Sequence, residues 1–211
     1  MMWKLFSDMK NGYFEEYLEL IKTTIENDRQ KVNKRAEEIE KSGAKTIVTE
    51  DGVFEPYDEV TDAHWEIEEM EQLMYRTHII GVFIFMEAQI TSICETIYKK
   101  DNILFSYKDL NQTGVSRSIK YLKTVLKQDF PADISTREEF EIAKIVRNAL
   151  VHTEGRIREE NISKIENYIS THKDLISLKM KEVKVTYEYA KSIIELSKKI
   201  CNELETHDSD W

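Results

Sequence analysis

The sequence predicts an all-α fold, a bundle of about five to six helices with a small β-hairpin near residues 46–54. Three observations favour this class. The 211 residues include only 6 Gly and 2 Pro, which suits long helices and short connections. Charged residues make up 33% of the chain, mostly as Glu and Lys, which are good helix formers. Apolar residues return at three- and four-residue steps over most of its length. A chain of this size can bury one sizeable core, so we expect a single domain over residues 1–211.

The first half of the chain predicts two long helices with the hairpin between them. A long N-terminal helix spans residues 1–42, and its expected inward stripe is Phe14, Leu18, Ile21, Ile25, Val32 and Ile39. β-Branched residues around Asp51-Gly52 indicate the hairpin, because Asp-Gly suits a tight turn. A second long helix is predicted from about Thr61 to about Lys100. Its expected core residues are Met70, Leu73, Met74, Ile80, Phe83, Ile84 and Ile90.

The second half predicts shorter helices and leaves one segment open. Four helices are predicted. The first begins near Gly114, the second runs from about Thr136 to about Thr153, the third covers Asn161–Ser170, and the fourth runs from about Thr186 to about Glu205. Ser135 or Thr136 is expected to cap the second of these, and Gly155 suits a left-handed cap at its end. Residues 176–185 are ambiguous, since an alternating pattern slips at Glu182. Residues 206–211 are predicted to be a frayed tail.

Composition limits the classes of function. A formal net charge of −10 argues against indiscriminate binding to nucleic acid. Cys94 and Cys201 lie in apolar helical patterns and are expected to be buried thiols. The longest apolar run, residues 79–86, is too short to span a membrane, and we expect no signal peptide, so a cytoplasmic location is predicted. His64 and His78 have no partner at metal-ligand spacing and are expected to be packing or surface residues, so we predict no metal and no cofactor.

The stretch from Arg147 to His152 places polar groups where a core helix would carry Leu or Ala. Asn148 and His152 share a helix face, whereas Arg147 and His152 lie about 140° apart. Near neutral pH a histidine can take a proton from a ribose 2′-hydroxyl or give one to a leaving 5′-oxygen. A guanidinium matches the charged oxygens of a phosphorane-like transition state. Asn148 could fix the histidine tautomer or donate to the phosphate. This set suits RNA transesterification without metal; a surface ion pair with a capping contact is the alternative.

The same residues carry a family resemblance. Arg147-Asn148-x-x-x-His152 resembles the R-x4–6-H signature of the HEPN superfamily, and Glu87 is similar to an acidic position of many members. The resemblance extends loosely over residues 60–204. It implies a helical bundle that cuts RNA without metal, from a composite site in a homodimer, often in phage defence or toxin–antitoxin systems. Because the five-residue offset separates Arg147 from His152, we also expect a twofold interface to complete the site.

Two groups of basic residues near the motif are candidate RNA contacts. One follows the helix that begins near Gly114 and comprises Arg117, Lys120, Lys123 and Lys127. The other surrounds the motif and comprises Lys144, Arg156 and Arg158. A basic strip beside a cleft would track an RNA backbone. An ordinary solvated helix face is the alternative.

The sequence therefore predicts a metal-independent endoribonuclease. Arg147, His152 and Asn148 are its expected catalytic residues, and Glu87 supports them. The expected partners are an RNA substrate, a second copy of the chain, and an antitoxin or defence-system protein. The alternative is a non-catalytic helical module that binds a partner protein or a nucleotide. The Arg/Asn/His set favours the enzyme, whereas the acidity of the chain favours the module.

Overall fold

The computed structural model describes residues 2–43, 46–49, 52–100, 105–127 and 129–209. Over these ranges the chain forms the predicted helical bundle, with six α-helices, a short 3-10 helix and two antiparallel hairpins. In chain order the elements are α1 (Met2–Ser42), β1 (Ile47–Thr49), β2 (Gly52–Phe54), α2 (Asp58–Lys100), the 3-10 helix (Tyr107–Asp109), α3 (Gly114–Leu126), α4 (Ile134–His152), α5 (Glu159–Thr171), β3 (Ile176–Lys179), β4 (Glu182–Val185) and α6 (Tyr187–Ser209).

The centre of the bundle is the pair α2 and α6, with α1 and α4 packed on it. Phe83 of α2 stacks on Phe140 of α4, with ring centres 5.5 Å apart. Phe85, two residues further along α2, instead contacts Phe14 of α1 at 5.8 Å. Two residues turn a helix by about 200°, so α1 and α4 lie on opposite sides of α2. The core between these helices is apolar and continuous.

The core predicted for α2 is partly wrong. Phe83 and Ile90 are buried, but Leu73 and Ile84 are 65% and 52% exposed. Apolar residues surround this stretch of α2 on every side, so the three- and four-residue spacing does not mark a single buried face. The two exposed side chains follow the helical period as well as the buried ones do.

Among the described residues, α2 is the one helix long and apolar enough to cross a membrane by length and composition. An 18-residue window within Asp58–Lys99 has a mean hydropathy of 1.4, and half of that window is buried in the fold. A core helix of a globular bundle meets the same criterion.

The hairpin near residues 46–54 is confirmed, and a second hairpin replaces the ambiguous segment. In the first, Ile47 pairs with Phe54; Glu50 and Asp51 at its turn lie outside the described residues. In the second, β3 pairs with β4 across a two-residue turn, Met180-Lys181. Both turn residues have positive φ, +50° and +67°. The turn reverses the chain and causes the slip in the alternating pattern at Glu182.

The ends of α4 differ in part from the prediction. Asp133, and neither Ser135 nor Thr136, caps its start, and the Asp133 side chain accepts a hydrogen bond from the Thr136 backbone N–H at 2.7 Å. At the other end both Glu154 and Gly155 have positive φ, +53° and +92°. The Gly155 N–H donates to the Ala149 carbonyl at 2.9 Å, which closes the helix as a left-handed cap does.

The C-terminal helix is longer than predicted, because α6 continues to Ser209. Residues 206–209 are therefore helical and not a frayed tail, and residues 210–211 lie outside the described part of the chain. The expected inward residues of α6, Tyr189, Ile193, Leu196, Ile200 and Leu204, are all buried. Cys94 and Cys201 are buried free thiols, as predicted.

Candidate functional site

A cavity of about 490 Å³ lies against the C-terminal half of α4. Its floor is one face of α4, whose residues step by three, four and four: Glu141, Lys144, Asn148 and His152. The walls come from α2, from residues 113–116 at the start of α3, and from residues 153–164, which lead into α5. The predicted motif therefore lines a cavity and not a flat helix surface.

The Arg147 side chain is restrained from several directions. Its Nη1 donates to Asn148 Oδ1 at 3.1 Å, and its Nη2 lies 3.8 Å from Glu87 Oε2. The guanidinium carbon lies 5.7 Å from the centre of the Phe83 ring. Nε is buried and has no hydrogen-bond partner within the described residues. A planar cation held at the cavity in this way suits an anionic ligand.

His152 is the last residue of α4, and its side chain is exposed. Asn148 Oδ1 accepts a hydrogen bond from Arg147, and no hydrogen bond joins Asn148 to His152 among the described residues, so its role in fixing the histidine tautomer stays a prediction. Its other predicted role, donating to the phosphate, also stays a prediction, and Asn148 does line the cavity. The histidine ring is open to solvent, as a proton-exchanging group requires.

One chain brings Arg147 and His152 to the same cavity. The five-residue offset predicts that they lie on different sides of α4, so that a second subunit would complete the site. The cavity, however, extends around the end of α4, and Arg147 lines it from the flank that faces α2. A second subunit is therefore not needed to bring these two residues together.

Glu87 of α2 lies between Arg147 and the start of α3. Its Oε2 is 3.8 Å from Arg147 Nη2, which is an ion-pair distance but too long for a hydrogen bond. Gly114 begins α3 with φ of +55°, and a Cβ at this position would lie 3.0 Å from Glu87 Oε1. Glycine thus allows α3 to start close to the carboxylate. Glu87 restrains the guanidinium by charge, without a hydrogen bond to Nη2.

The basic residues predicted on α3 do not line the cavity. Arg117 donates to the Gln112 backbone carbonyl, and Lys123 pairs with Asp129 at 2.5 Å. Lys120 and Lys127 are exposed. Residues 113–116, directly before these basic residues in the chain, do line the cavity.

The basic residues predicted around the motif do line the cavity. Lys144 and Arg156 face it, with Lys144 Nζ bonded to Glu141 Oε1 at 2.6 Å. Asn161 and Lys164 of α5 also line it, and sequence reasoning missed both. Their three-residue spacing places them on one face of α5, but no pattern in the sequence shows that this face packs beside α4.

The two histidines of α2, His64 and His78, lie outside the cavity and are packing or surface residues, as predicted. His78 is 3% exposed and contacts the rings of Phe14 and Tyr17 at 5.8 and 5.7 Å. Burial lowers the pKa of His78 to about 4. In the described part of the chain there is no group of three or more His, Cys, Asp or Glu side chains that could hold a metal ion.

Comparisons with known proteins add no relative. Neither protein-family models, nor curated proteins, nor solved structures gave a match to this chain. Inference about function therefore rests on the cavity and on the sequence.

Proposed function

We propose that this protein is a metal-independent endoribonuclease that cleaves RNA by 2′-hydroxyl transesterification, as the resemblance to HEPN proteins implies. The observation that carries the proposal is that Arg147, Asn148 and His152 line the same cavity. Arg147 is restrained by Asn148, Glu87 and the Phe83 ring, and His152 is exposed. A fixed guanidinium and an imidazole that can exchange protons are the two groups such a reaction needs.

The charge of the cavity supports a polyanionic substrate. Two acidic side chains line it, Glu87 and Glu141, against five basic ones: Lys144, Arg147, Arg156, Arg158 and Lys164. The whole chain, in contrast, has a formal net charge of −10. Because most of the surface repels nucleic acid, we expect RNA to bind at this cavity and not indiscriminately.

In the proposed reaction, His152 removes the proton from a ribose 2′-hydroxyl, and that oxygen attacks the adjacent phosphorus. Arg147 holds the non-bridging oxygens as negative charge develops on them, and the Asn148 amide donates to the same phosphate. The bond from phosphorus to the 5′-oxygen breaks, and the leaving oxygen takes a proton from water. The products are a 2′,3′-cyclic phosphate and a free 5′-hydroxyl.

The family resemblance supports a wider proposal about the setting. It implies a homodimer that acts in phage defence or in a toxin–antitoxin pair, with an antitoxin or defence-system protein as partner, and a cytoplasmic location, predicted from the sequence, completes this proposal. In this proposal each subunit uses its own cavity, because one chain supplies both Arg147 and His152.

The test is cleavage of total RNA by purified protein and by single alanine variants. Arg147→Ala and His152→Ala should each lower the rate about a hundredfold or more, which is typical of losing a charge-stabilising or proton-transferring group. Arg35→Ala and His172→Ala are matched controls, because both side chains are exposed and neither lines the cavity. Circular dichroism should show that all four variants fold. Cleavage by His152→Ala at the rate of the unaltered protein would refute the proposal.

The chemical groups at the ends of the cleaved RNA fragments are a second readout. Mass spectrometry should find cyclic phosphate and 5′-hydroxyl ends, and a substrate with one 2′-deoxy sugar at the cleaved position should bind but resist cutting. EDTA should leave the rate unchanged. Ends carrying a 5′-phosphate would show that water attacks, which contradicts the roles given to Arg147 and His152. RNA binding without any cleavage would favour the non-catalytic module instead.

A further inference from the structure

A second cavity adjoins the candidate active site. It has a volume of about 470 Å³ and lies between the tip of the β3–β4 hairpin and the segment that follows α4. Its lining residues are Thr153, Arg156, Ile157, Arg158, Glu159, Met180 and Lys181. The first four of these also line the candidate active site. The two cavities therefore form neighbouring parts of one groove that leads from His152 to the hairpin tip.

The hairpin tip is fixed against this groove by backbone hydrogen bonds. The Val183 N–H donates to the Gly155 carbonyl at 2.9 Å, and the Ile157 N–H donates to the Lys181 carbonyl at 2.8 Å. The segment after α4 thus pairs with β4 through one isolated antiparallel bridge, between Arg156 and Glu182. Because the same segment begins directly after His152, the tip and the histidine are held at a fixed separation.

Neither the turn nor the core explains a methionine at the tip. Met180 has φ of +50°, a backbone conformation that disfavours residues with a Cβ and usually carries Gly or Asn in such a turn. Its side chain is 90% exposed, so it packs on little of the protein. An exposed apolar side chain in a strained turn beside a charged groove stabilises the fold little. Its position favours a contact with a ligand.

The groove combines cationic and apolar surface. Arg156 and Arg158 are exposed on one wall, while the charge of Lys181 is paired with Glu159. Met180 adds an exposed apolar side chain to the lining. Single-stranded RNA has the matching chemistry, since its phosphates are anionic and each base has an apolar face that packs on side chains.

We propose that this groove is a subsite for the nucleotide that flanks the cleaved bond in a single-stranded RNA. The base of that nucleotide packs on Met180, and its phosphate lies between Arg156 and Arg158. This inference rests on the proposed ribonuclease function and adds to it a binding surface for an unpaired base at the hairpin tip, beside the catalytic residues.

The test compares two short oligonucleotides that cannot be cut by the proposed reaction. One carries bases on 2′-O-methyl sugars, and the other is an abasic oligomer with the same number of phosphates. Affinities are measured by fluorescence anisotropy at one fixed salt concentration. The protein should bind the base-bearing oligomer more tightly than the abasic one.

Met180→Gly isolates the contribution of the side chain. Glycine suits the left-handed turn, so the melting temperature should hold or rise. Affinity for the base-bearing oligomer should fall roughly three- to tenfold, at or below the lower end of the range for a base stacked on an aromatic side chain, while affinity for the abasic oligomer stays the same. Leu20→Ser, which removes a 60% exposed apolar side chain from α1, should change neither affinity.

The possible outcomes separate the two proposals. If Met180→Gly leaves both affinities unchanged, or lowers both equally, the subsite is refuted while RNA cleavage can still stand. If the protein binds neither oligomer and cuts no RNA, the proposed function fails and the subsite fails with it. A preference for bases that disappears only in Met180→Gly supports the subsite.

Discussion

Replacing His78 should change how stability depends on pH. This side chain is buried in α2 against Phe14 and Tyr17, and neither ring nitrogen has a hydrogen-bond partner within the described residues. Burial lowers its pKa from the ordinary value of 6.5 to about 4. Between these values the unfolded chain binds a proton that the folded chain does not. The contribution of His78 to stability is therefore intact above pH 6.5 and is lost as the pH falls towards 4.

The size of the effect follows from the two pKa values. Each pH unit in this window is worth about 1.4 kcal/mol, so the unaltered protein should lose about 2 kcal/mol of unfolding free energy at pH 5 through this one group. His78→Leu removes the titration and also removes the unsatisfied nitrogens. The variant should match or exceed the unaltered protein at pH 8, and its advantage should grow by about 2 kcal/mol at pH 5.

Urea denaturation followed by circular dichroism at pH 8, 6 and 5 measures this difference, because every carboxylate is common to both proteins. His78→Gln is the matched control: it is polar but does not titrate, so it should be less stable than His78→Leu at every pH and show the same relative gain at pH 5. If the curves of the unaltered protein and of His78→Leu run parallel from pH 8 to pH 5, the histidine is not buried in its neutral form.

Two further predictions concern the site. A mixture of Arg147→Ala and His152→Ala subunits should stay inactive in RNA cleavage, since one chain supplies both groups to its cavity; recovered activity would mean that two subunits share one cleft. Gly114→Ala should lower stability by about 1–2 kcal/mol in thermal denaturation and should slow cleavage, because its Cβ would lie 3.0 Å from the Glu87 carboxylate at φ of +55°. Gly12→Ala is the matched control, since a Cβ there meets no atom within 4 Å and Ala suits a helix; an equal effect of both substitutions would contradict the role given to Glu87.

Helical periodicity predicted the bundle well wherever one face of a helix is apolar. In α6 every expected inward residue is buried, since its other faces are polar. The predicted burial of Leu73 and Ile84 is wrong, because this stretch of α2 is apolar on all sides and periodicity does not single out one buried face. Periodicity also left the second hairpin open, since Met180 and Lys181 adopt positive φ without the Gly or Asn that would have signalled a turn.

The candidate site was predictable in its local part. Arg147, Asn148 and His152 are close in sequence, so their positions on one helix follow from the helical repeat. The groups that turn this helix surface into a cavity are distant in sequence. Lys164 reaches the site because α5 folds back beside α4, and packing of that kind leaves no periodic signal in the chain. For the same reason the sequence could not show whether the basic residues of α3 or Lys164 of α5 would line the cavity.

The position of the cavity also bears on how two subunits could share it. It opens beside α4 and α5, whereas Tyr13, Tyr17 and Leu20 expose apolar surface on α1, across the α2–α6 pair. A dimer that pairs through α1 would hold the two cavities apart, and each would work alone. A dimer that pairs through α4 would instead place the two His152 side chains in one cleft. The mixed-subunit experiment distinguishes these arrangements, because complementation requires that the Arg147 of one chain and the His152 of the other act on the same phosphate.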